Sequence, residues 1–378
     1  MKICILAVLH EADDKRVYHK VAQSLIAAGH EVVYICPGGA DLPSEKGGVR
    51  FVFMPPGSSK KQRLRAVFRL RRLGAQERAD VYFAVEPESW VAALWIKLRT
   101  GGKVVFDMHE HVPTEFAKFF PSATQGFMEW LTVRFMRLFA RYTDLVILTR
   151  DSFEREWSGL SVPRTTVINT NHLQPRCPEI PEAIRARYAD RPTIIHQGVF
   201  GDVRGSWQLL DAMKLLVRTI PDLRCIILGS YLYGSEAEYR EAIRAAGLED
   251  HIDMPGLVPY AEVPAYIAVA KVGLILFQPG LVNHTLAMPH KLFDYMREQV
   301  PVVAPDFALE VRHIMKEADC GLLVDVTRPE AIAEAIRRLL QDPALAARLG
   351  ENGRRIVETK YNWAHDEKKL LDAIASLQ

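Results

Sequence analysis

Short apolar runs alternate with stretches of helical apolar spacing along almost the whole chain, and this alternation constrains the fold most strongly. Residues 3–9 form the first run, residues 17–28 repeat apolar side chains at helical spacing, and residues 31–36 form the next run. Further runs in the first half are VRFVFM, DVYFAV, KVVFDM and DLVILT. Strands that alternate with helices favour a parallel sheet with helices on both faces. The first half therefore predicts a doubly wound α/β domain.

The same pattern begins again after an interruption near the middle of the chain. Residues 167–192 hold four prolines and little apolar periodicity, which is typical of a connection between domains. The predicted strands beyond it are TIIHQG, RCIILGS, VGLILF, VPVVAPD and CGLLVD. We predict a first domain over residues 1–172, a linker over 173–191 and a second α/β domain over 192–360. Two such domains that face each other predict a ligand cleft, because open α/β sheets bind ligands beyond the carboxyl ends of their strands.

Length and composition exclude several classes of protein. A chain of 378 residues suffices for two domains, and 49% hydrophobic with 25% charged residues is typical of a globular protein. The formal net charge of +2 names no partner, so an anionic partner has to be recognised by local basic clusters. The five cysteines lack zinc or disulfide spacing, and no run approaches the roughly 18 apolar residues of a membrane span. We expect a cytoplasmic protein in which residues 3–9 are a strand and not a signal peptide.

A glycine turn follows the first predicted strand of the second domain. Gly198 comes directly after TIIHQ, so the backbone at the end of a buried strand is open to a ligand. Ser206 is predicted to cap the next helix, whose unpaired first-turn amides favour an anion. Arg204 adds a cationic donor group suited to phosphate. Taken alone, the pattern fits an ordinary surface loop equally well.

A second segment favours the anion interpretation. Pro289 precedes a short predicted helix that carries Lys291 and Asp294. A lysine at the start of a helix opposes the helix dipole unless an anion lies beside it. A phosphate group would remove this conflict.

These two segments, together with others in the same order and spacing, resemble the retaining glycosyltransferases of family four over nearly the whole chain. The similar stretches are AQSLIAAGHEVVYIC, FDMHEHVPTEF, GVFGDVRGSWQLLDAM, IILGS with HIDMPGLVPYAEVPAYIAVAKVGLILF, and MPHKLFDYMREQVPVVA. That family has the GT-B fold, in which two doubly wound domains face each other across a cleft. The resemblance implies that the first domain binds the acceptor and the second binds a nucleotide sugar. It also implies that a final helix over residues 361–378 crosses back to the first domain.

The resemblance assigns the donor phosphates to the two segments described above. Carried over by position, Gly198, Arg204 and Lys291 face the donor diphosphate. The arginine that family members usually have directly after the glycine is replaced by Val199. Arg204 and Lys291 are therefore expected to carry the phosphate charge alone.

Other donor contacts follow from neighbouring positions. Asp294 stands where the family usually has a glutamate that binds the ribose hydroxyls. Leu286 replaces the first glutamate of the family's Glu-x7-Glu pair, as in a branch with the pattern P-x-K-L-F-[DE]-Y-M. His284 and Thr285 are then the candidates for contacting the donor sugar. The nucleobase is expected near Leu257, Val258 and Tyr260.

On the acceptor side, FDMHEHVP follows a predicted strand of the first domain. The resemblance implies that His109 approaches the donor sugar, and Glu110 or Asp107 is placed to orient it or the acceptor. The alternative is that His109 only fixes a loop. Glu11 and Asp13, after the first strand, are further acceptor-side candidates, although exposed carboxylates at a helix start are common.

The chain lacks two motifs of other nucleotide enzymes. No D-x-D pair occurs, and residues 10–20 lack the G-x-G-x-x-G pattern of nicotinamide-dependent dehydrogenases. The resemblance implies transfer with retention of configuration and without metal or other cofactor, because preorganised donors stabilise the leaving diphosphate. We expect a UDP- or GDP-sugar donor and a glycan or lipid-linked acceptor in polysaccharide, lipopolysaccharide or other glycoconjugate assembly. The alternatives are a nucleotide-sugar epimerase of the same fold and a non-catalytic nucleotide-sugar-binding protein.

Residues 59–78 form an amphipathic segment with eight basic residues and one acidic residue. Residues 115–142 add many aromatic side chains and a helical stripe of arginines. We predict that these segments bind the inner face of an anionic membrane peripherally. The candidate residues are Lys60, Lys61, Arg63, Arg65, Arg69, Arg134 and Arg137. The alternative is a solvated basic helix with buried aromatics, and nucleic acid is not expected because no recognised binding module is present.

Overall fold

The chain divides into two α/β units. The structure is a computed structural model that describes residues 1–39, 41–56, 60–173 and 179–378. The first unit comprises Met1–Asn169 and Trp363–Gln378, and the second comprises Thr170–Asn362. Each unit is built on a large, predominantly parallel sheet, as the alternation of strands and helices in the sequence predicts, and the second also contains a separate two-stranded pair.

Strands and helices alternate through both units. The strands are β1 (Lys2–Leu6), β2 (Glu31–Pro37), β3 (Glu45–Lys46), β4 (Val49–Met54), β5 (Val81–Ala84), β6 (Lys103–Met108), β7 (Leu145–Leu148), β8 (Arg164–Thr166), β9 (Thr193–Gln197), β10 (Phe200–Gly201), β11 (Arg224–Leu228), β12 (Tyr231–Tyr233), β13 (Ile252–Gly256), β14 (Val272–Leu274), β15 (Val302–Pro305) and β16 (Gly321–Val324). The α-helices are α1 (Gln23–Ala27), α2 (Lys60–Glu77), α3 (Pro87–Thr100), α4 (Val112–Ala117), α5 (Ser122–Ala140), α6 (Glu154–Trp157), α7 (Glu182–Tyr188), α8 (Ser206–Leu216), α9 (Glu236–Ala245), α10 (Val263–Ala268), α11 (Val282–Thr285), α12 (His290–Arg297), α13 (Leu309–Ala318), α14 (Pro329–Gln341), α15 (Pro343–Thr359) and α16 (Trp363–Ala375). Other helical turns are the π-helical Val17–Ala22 and the 3₁₀ turns Asp151–Phe153, Asp202–Arg204 and Tyr260–Glu262.

The sheet of the first unit has the strand order β3-β4-β2-β1-β5-β6-β7-β8, and only the β3–β4 pair is antiparallel. β1 pairs with β2 on one side and with β5 on the other, so the strand order reverses beside β1. Open α/β sheets bind ligands at such a reversal, outside the carboxyl ends of the strands. The segments that follow β1, β5 and β6 therefore define the binding edge of this unit.

The first strand is shorter than its apolar run. It ends at Leu6, whereas the prediction extended it by three residues. The amides of Val8, Leu9 and His10 donate to the carboxylate of Glu86, which follows β5, at 2.9, 2.8 and 3.2 Å. A carboxylate from a distant segment thus replaces a neighbouring strand as hydrogen-bond partner, which apolar periodicity does not reveal.

Helix α16 packs in the first unit although it follows the second unit in the chain. Its residues Trp363, Leu370 and Ile374 are buried in the core of the first unit. The indole Nε1 of Trp363 donates to Oγ of Ser24 at 3.1 Å. Burial of this large aromatic side chain, with its polar atom paired, attaches the end of the chain to the first unit.

The second unit has a six-stranded parallel sheet in the order β13-β11-β9-β14-β15-β16. β9 lies between β11 and β14, so the strand order reverses beside β9 and the turn after Gln197 lies at the binding edge. The predicted strand over residues 272–277 is only half present, because β14 ends at Leu274 while the buried residues 275–277 continue toward this edge. Helix α7 of this unit lies within the stretch predicted as linker.

Candidate functional site

The turn after β9 depends on glycine at two positions. Gly198 has a φ of +96° and Gly205 a φ of +85°. A Cβ at Gly205 would lie 2.5 Å from the carbonyl oxygen of Leu276, so no side chain fits there without a shift of the backbone. A Cβ at Gly198 would lie 3.7 Å from Nζ of Lys291. The glycine turn and Lys291, far apart in sequence, are therefore neighbours.

The helix after the turn begins differently from the prediction. Gly205 occupies the cap position and the buried Ser206 is already the first residue of α8, so the prediction that Ser206 caps the helix is wrong. Oγ of Ser206 instead donates to Oδ1 of Asp202 at 3.3 Å, and the hydroxyl of Tyr231 donates to the same oxygen at 2.9 Å. The left-handed conformation of Gly205 turns the chain one residue earlier than a serine cap requires.

Lys291 is buried at the start of α12, and its Nζ lies 3.0 Å from Nε2 of His196 in β9. Burial lowers the pKa of Lys291 well below its usual value, and the charge of Arg204 lowers it further, whereas Asp294 raises it. Burial also lowers the pKa of His196 well below its usual value, and the charge of Lys291 adds to this effect. An anion bound at this position would offset the repulsion between the cations and raise the pKa of Lys291.

Arg204 and Lys291 both lie beside the ring of Phe277. Cζ of Arg204 is 4.5 Å and Nζ of Lys291 is 5.9 Å from the ring centroid. Nε of Arg204 is buried and makes no hydrogen bond to any described residue. A ring face attracts a guanidinium but does not satisfy its N–H donors. This donor is therefore unsatisfied within the described part of the chain.

Tyr295 fixes α12 against the sheet. The backbone N–H of Gln197 donates to the hydroxyl of Tyr295 at 2.9 Å. The ring of Tyr295 is so close to Gly273 that a Cβ there would lie 2.5 Å from it. Lys291 is four residues before Tyr295 and shares its helix face. The buried tyrosine thus holds the lysine at the carboxyl end of β9.

Asp294 is buried one turn after the start of α12. Its Oδ1 accepts a hydrogen bond of 2.7 Å from Nδ2 of Asn171 and lies 3.6 Å from Nη1 of Arg297. These contacts hold the carboxylate in one orientation. Its predicted bond to ribose stays a prediction.

His284 is buried beneath the same aromatic ring that carries the two cations. Its ring stacks on Phe277 with centroids 5.1 Å apart, and its Nδ1 lies 2.7 Å from the carbonyl oxygen of Gln278. Thr285 and Val258 are half-buried, and Leu257 is exposed. The side chain of Tyr260, also predicted near the nucleobase, lies outside the described part of the chain.

In the first unit, Asp107 joins Arg16 to His109 at the end of β6. The fully buried carboxylate accepts from Nη2 and Nε of Arg16 at 2.8 and 3.0 Å and lies 2.8 Å from Nε2 of His109. Burial by itself would raise the pKa of Asp107, but the charges of Arg16 and His109 lower it below its usual range. The ionised carboxylate holds His109 through Nε2, which leaves Nδ1 as the ring atom for a substrate.

A second histidine lies beside His109. The rings of His10 and His109 meet edge-on with centroids 4.8 Å apart, and Nδ1 of His10 lies 2.9 Å from Oδ2 of Asp14. Burial lowers the pKa of His10, but the hydrogen bond with Asp14 and the charge of Glu86 raise it overall. Burial raises the pKa of Asp14, but its hydrogen bond with His10 brings it down to about 2. The binding edge of the first unit therefore carries two adjacent histidines, each paired with a carboxylate.

The other predicted acceptor-side carboxylates are exposed. Oδ1 of Asp13 lies 2.8 Å from Nζ of Lys46, and Glu11 is exposed beside it in the chain. Glu110 is 57% exposed and lies 3.5 Å from Nη2 of Arg150. Their roles stay predictions.

The predicted basic face lies on α2 and α5. Lys61, Arg65 and Arg69 are exposed on α2, while the half-buried Arg63 pairs with Glu88 at 2.9 Å. The side chain of Lys60 lies outside the described part of the chain. The exposed residues on α5 include Arg134 and Arg137.

Aromatic residues near these cations are exposed. The exposed fractions of Phe116, Phe119, Phe127, Trp130 and Phe135 lie between 44% and 62%. The alternative in which the aromatics of this region are buried in the core is therefore wrong for these five. No helix in the described ranges is both long and apolar enough to span a membrane.

Cysteines and other metal-binding side chains do not form a metal site in the described ranges, where no group of three or more His, Cys, Asp or Glu residues is placed to hold an ion. Burial raises the pKa of Cys36 and Cys320 to about 12, so both thiols stay protonated. Cys4 and Cys225 are also free and buried, and Cys177 lies outside the described residues.

Two doubly wound α/β units in one chain are typical of GT-B proteins. The structure of Anabaena HepE in complex with UDP-glucose matches with a TM-score of 0.74 and 16% identity, covering all of both chains. This likeness confirms the predicted fold class, α/β with the GT-B fold.

Two family models place the chain within that class. Glycosyl transferases group 1 matches residues 181–356, and glycosyl transferase 4-like domain matches residues 15–171. The two matches fall almost wholly in different units and together span most of the sequence. The chain therefore belongs to the group 1 glycosyltransferases, as the resemblance of its motifs predicted.

Curated relatives are similar over shorter stretches. The alpha-D-kanosaminyltransferase of Streptomyces kanamyceticus is 25% identical over 181 residues, 47% of this chain and 45% of that protein. The GDP-mannose-dependent alpha-(1-6)-phosphatidylinositol monomannoside mannosyltransferase of Mycolicibacterium smegmatis is 27% identical over 213 residues, 55% of this chain and 54% of that protein. The chain thus spans about half the length of the curated relatives it matches.

Sequence reasoning missed His10, Asp14 and Phe277 as well as four further residues of these sites. His196 and Tyr295 lie beside Lys291, while Arg16 and Glu86 hold the binding edge of the first unit. Tyr295 had a signal, because it stands four residues after Lys291 in a short amphipathic helix. His196, Arg16 and Glu86 contact partners far away in sequence, and nothing local marks them.

Proposed function

We propose that this protein is a retaining glycosyltransferase that moves a sugar from a nucleoside diphosphate sugar to a glycan or lipid-linked acceptor. The observation that carries the proposal is the convergence of Lys291 and Arg204 on one ring at the glycine turn after β9. Two neighbouring cations, one of them buried with a lowered pKa, favour a ligand with more than one negative charge. The diphosphate of a nucleotide sugar is such a ligand and is the leaving group of the reaction.

The donor residues follow from this position of the diphosphate. Lys291 and Arg204 stabilise the negative charge that grows as the sugar departs, so the chemistry needs neither metal nor another cofactor. Gly198 lets the phosphates approach the backbone, and Asp294 binds the ribose. The remaining proposed contacts are His284 and Thr285 with the sugar and Val258 with the nucleobase.

His109 is the proposed catalytic residue of the first unit. Its Nε2 is held by Asp107, and its Nδ1 hydrogen-bonds a hydroxyl of the donor sugar. The acceptor oxygen attacks C1 on the face from which the diphosphate leaves, so configuration is retained. The bond from C1 to the phosphate oxygen breaks as the new C1–oxygen bond forms, and the acceptor proton passes to the departing phosphate. Glu11, Asp13 and Glu110 are the proposed acceptor-side carboxylates.

The relatives support UDP or GDP as the nucleotide. The structure of HepE has been determined in complex with UDP-glucose, and the name of the Mycolicibacterium relative states that it depends on GDP-mannose. We further propose that the transfer belongs to polysaccharide, lipopolysaccharide or other glycoconjugate assembly. The basic and aromatic face of α2 and α5 is proposed to attach the protein peripherally to the inner face of a membrane.

The first experiment is titration calorimetry of the protein with UDP, GDP, ADP and CMP, with and without magnesium. We expect one uridine or guanosine diphosphate to bind selectively and without metal. The matching nucleotide sugars are then incubated with the protein, and release of free sugar and of diphosphate is followed. The anomeric configuration of the released or transferred sugar is determined by NMR.

The products separate the proposal from its alternatives. A sugar nucleotide converted to its epimer without an acceptor would show an epimerase. A donor that binds and is neither transferred, hydrolysed nor epimerised would show a non-catalytic binding protein. Inversion at C1 would overturn retention but not transfer.

A further inference from the structure

A large apolar groove lies in the first unit. Its volume is about 630 Å³, within the range of small-molecule sites. The lining side chains come from α2, α3, α4 and α5 and from the segments that follow β1, β5 and β6. Representative apolar residues of the lining are Leu64, Val67, Phe68, Trp95, Leu131 and Phe135.

Much of this apolar lining is open to solvent. Phe68, Trp95, Phe116, Phe119 and Phe135 all line the groove, and each is between 38% and 50% exposed. Soluble proteins rarely leave several large apolar side chains together in one patch unless a ligand or partner covers them. The groove therefore has the character of a binding site for an apolar group.

The groove also reaches the binding edge of the unit. His10 and His109 line it, together with Glu86 and Glu110. A protein partner or second copy that filled the groove would cover His109 and block the proposed reaction. The hydrocarbon chain of an acceptor would instead bring its head group to His109.

Cations border the exposed aromatic residues. Cζ of Arg71 lies 5.3 Å from the ring centroid of Trp95 and 5.9 Å from that of Phe68, and Cζ of Arg134 lies 5.1 Å from that of Trp130. Phe68 and Trp95 line the groove, whereas Trp130 does not, so Arg71 is the cation at its aromatic border. This cation is complementary to the anionic group of an amphiphile, whereas Glu86 and Glu110 near His109 suit an uncharged hydroxyl.

We infer that this groove, here called the acyl groove and defined by the lining residues given above, holds the hydrocarbon chain of an anionic lipid acceptor. The hydroxyl that receives the sugar then lies at His109. This inference rests on the proposed transfer reaction and narrows its acceptor from a glycan or lipid to a lipid with a negatively charged head group.

The test uses hexyl, octyl and decyl phosphate as probes, each below the concentration at which it aggregates. Binding to the full chain is measured by calorimetry and by the fluorescence of tryptophans such as Trp95. Each methylene buried in the groove is expected to tighten binding roughly fourfold. Inorganic phosphate, which lacks a chain, serves as the control for binding to cations alone.

A matched pair of variants on α5 locates the binding. Phe135 and Leu138 are 50% and 45% exposed, but only Phe135 lines the groove. Phe135→Glu is expected to lower the affinity for decyl phosphate by at least about tenfold, because a carboxylate enters the apolar lining. Leu138→Glu adds the same charge outside the groove and should change binding by no more than about twofold. Leu131→Trp fills the groove without adding charge and is likewise expected to weaken the binding of decyl phosphate, which makes it an independent test.

The outcomes distinguish this inference from the proposed function. Nucleotide binding and donor hydrolysis without acceptor are measured in the same variants and should be unchanged. If a nucleoside diphosphate binds but the affinity for alkyl phosphates does not rise with chain length, the acyl groove is overturned and the proposed transferase is not. Alkyl phosphates that bind in the groove while no nucleotide diphosphate binds would overturn the transferase. A concentration-dependent dimer that Phe135→Glu abolishes, without alkyl phosphate binding, would assign the groove to a second copy instead.

Discussion

Lys291 is held where the surrounding groups oppose its own charge. Burial and Arg204 lower its pKa, and its nearest polar neighbour is an imidazole whose pKa is also lowered. A lysine whose pKa is lower in the folded than in the unfolded protein binds fewer protons when folded. Between the two pKa values the free energy of unfolding therefore rises with pH, and at lower pH the charged lysine costs stability. Such a cost at the end of a strand is typical of a binding site.

Lys291→Met is therefore expected to weaken nucleotide diphosphate binding without destabilising the free protein. Loss of one charged hydrogen bond, about 1.5 to 3 kcal/mol, corresponds to roughly 10- to 150-fold in affinity. Calorimetry gives the affinity, and thermal melting gives the stability. Lys271→Met, at an exposed lysine of the same unit, is the control and should retain the wild-type affinity. Equal affinities in both variants would contradict the phosphate site.

Nucleotide binding is also expected to take up a proton. The bound diphosphate raises the pKa of Lys291, so between its values in the free and the bound protein the lysine becomes protonated on binding. In that window affinity falls as pH rises, by up to about tenfold per pH unit. Calorimetry in buffers of different ionisation enthalpy counts the protons, and Lys291→Met should take up none. A proton uptake that persists in this variant would assign it to another group.

Asp107 shows the opposite case, a buried carboxylate whose charge is satisfied. Asp107→Asn leaves Arg16 buried beside a neutral amide and is expected to cost about 3 to 5 kcal/mol of unfolding free energy. Because the pKa of Asp107 is lowered in the folded protein, this stabilisation is present near neutral pH and is lost as pH falls through the lowered pKa. Asp13→Asn, which breaks an exposed pair with Lys46, should cost at most about 1 kcal/mol. Denaturant titration monitored by circular dichroism compares the two, and similar losses would contradict the role of burial.

Among the secondary structure elements, the start of α8 depends most on the turn before it. The backbone of Gly205 is left-handed and fits against the residues that continue β14, so the first-turn amides of α8 are aimed by this contact and not by a serine cap. The same continuation ends at Phe277, the ring beside both cations. The geometry of the proposed phosphate site is thus set by how α8 meets the segment that continues β14.

Gly205→Ala is expected to destabilise the protein by more than the roughly 1 to 2 kcal/mol of a left-handed residue, because its Cβ overlaps the carbonyl of Leu276. Gly247→Ala is the matched control, since Gly247 has a φ of +66° and open space around the added Cβ. Thermal melting should show the larger loss for Gly205→Ala, and nucleotide titration should show weaker binding in that variant only. Equal melting temperatures would contradict the close packing of the turn.

For the whole molecule, charge distribution matters more than total charge. The chain has a net charge of +2, yet α2 and α5 carry a cluster of exposed cations beside exposed aromatic residues. Each basic residue close to an anionic membrane contributes about 1 kcal/mol, so a few suffice for reversible attachment.

The protein is therefore expected to sediment with vesicles that contain phosphatidylserine at low salt and to be released as salt rises. Combined substitution of Lys61, Arg65, Arg69 and Arg134 by glutamine should abolish sedimentation. Substitution of four exposed basic residues of the second unit, Arg185, Lys214, Arg218 and Lys271, is the control and should leave it unchanged. No binding to anionic vesicles at low salt would contradict the peripheral attachment.

The sequence by itself determined the architecture, because local apolar periodicity predicts where strands and helices form. The runs VRFVFM, KVVFDM and RCIILGS became strands near their predicted bounds, since a buried parallel strand needs a continuous apolar run. The glycine turn and Lys291 were also predicted as one site, because the two segments together favour an anion, although the turn alone fits an ordinary surface loop equally well. These signals depend on residues that are neighbours in the chain.

Only the tertiary structure decided which distant side chains meet. The carboxylate of Glu86 accepts hydrogen bonds from the amides that follow β1, His196 lies beside Lys291, and Arg16 pairs with Asp107. The acyl groove likewise forms from four helices and three strand ends, none of which is apolar enough alone to indicate it. The physical reason is that burial, pKa and hydrogen bonding depend on distance in space, and the fold sets that distance between residues that no local pattern connects.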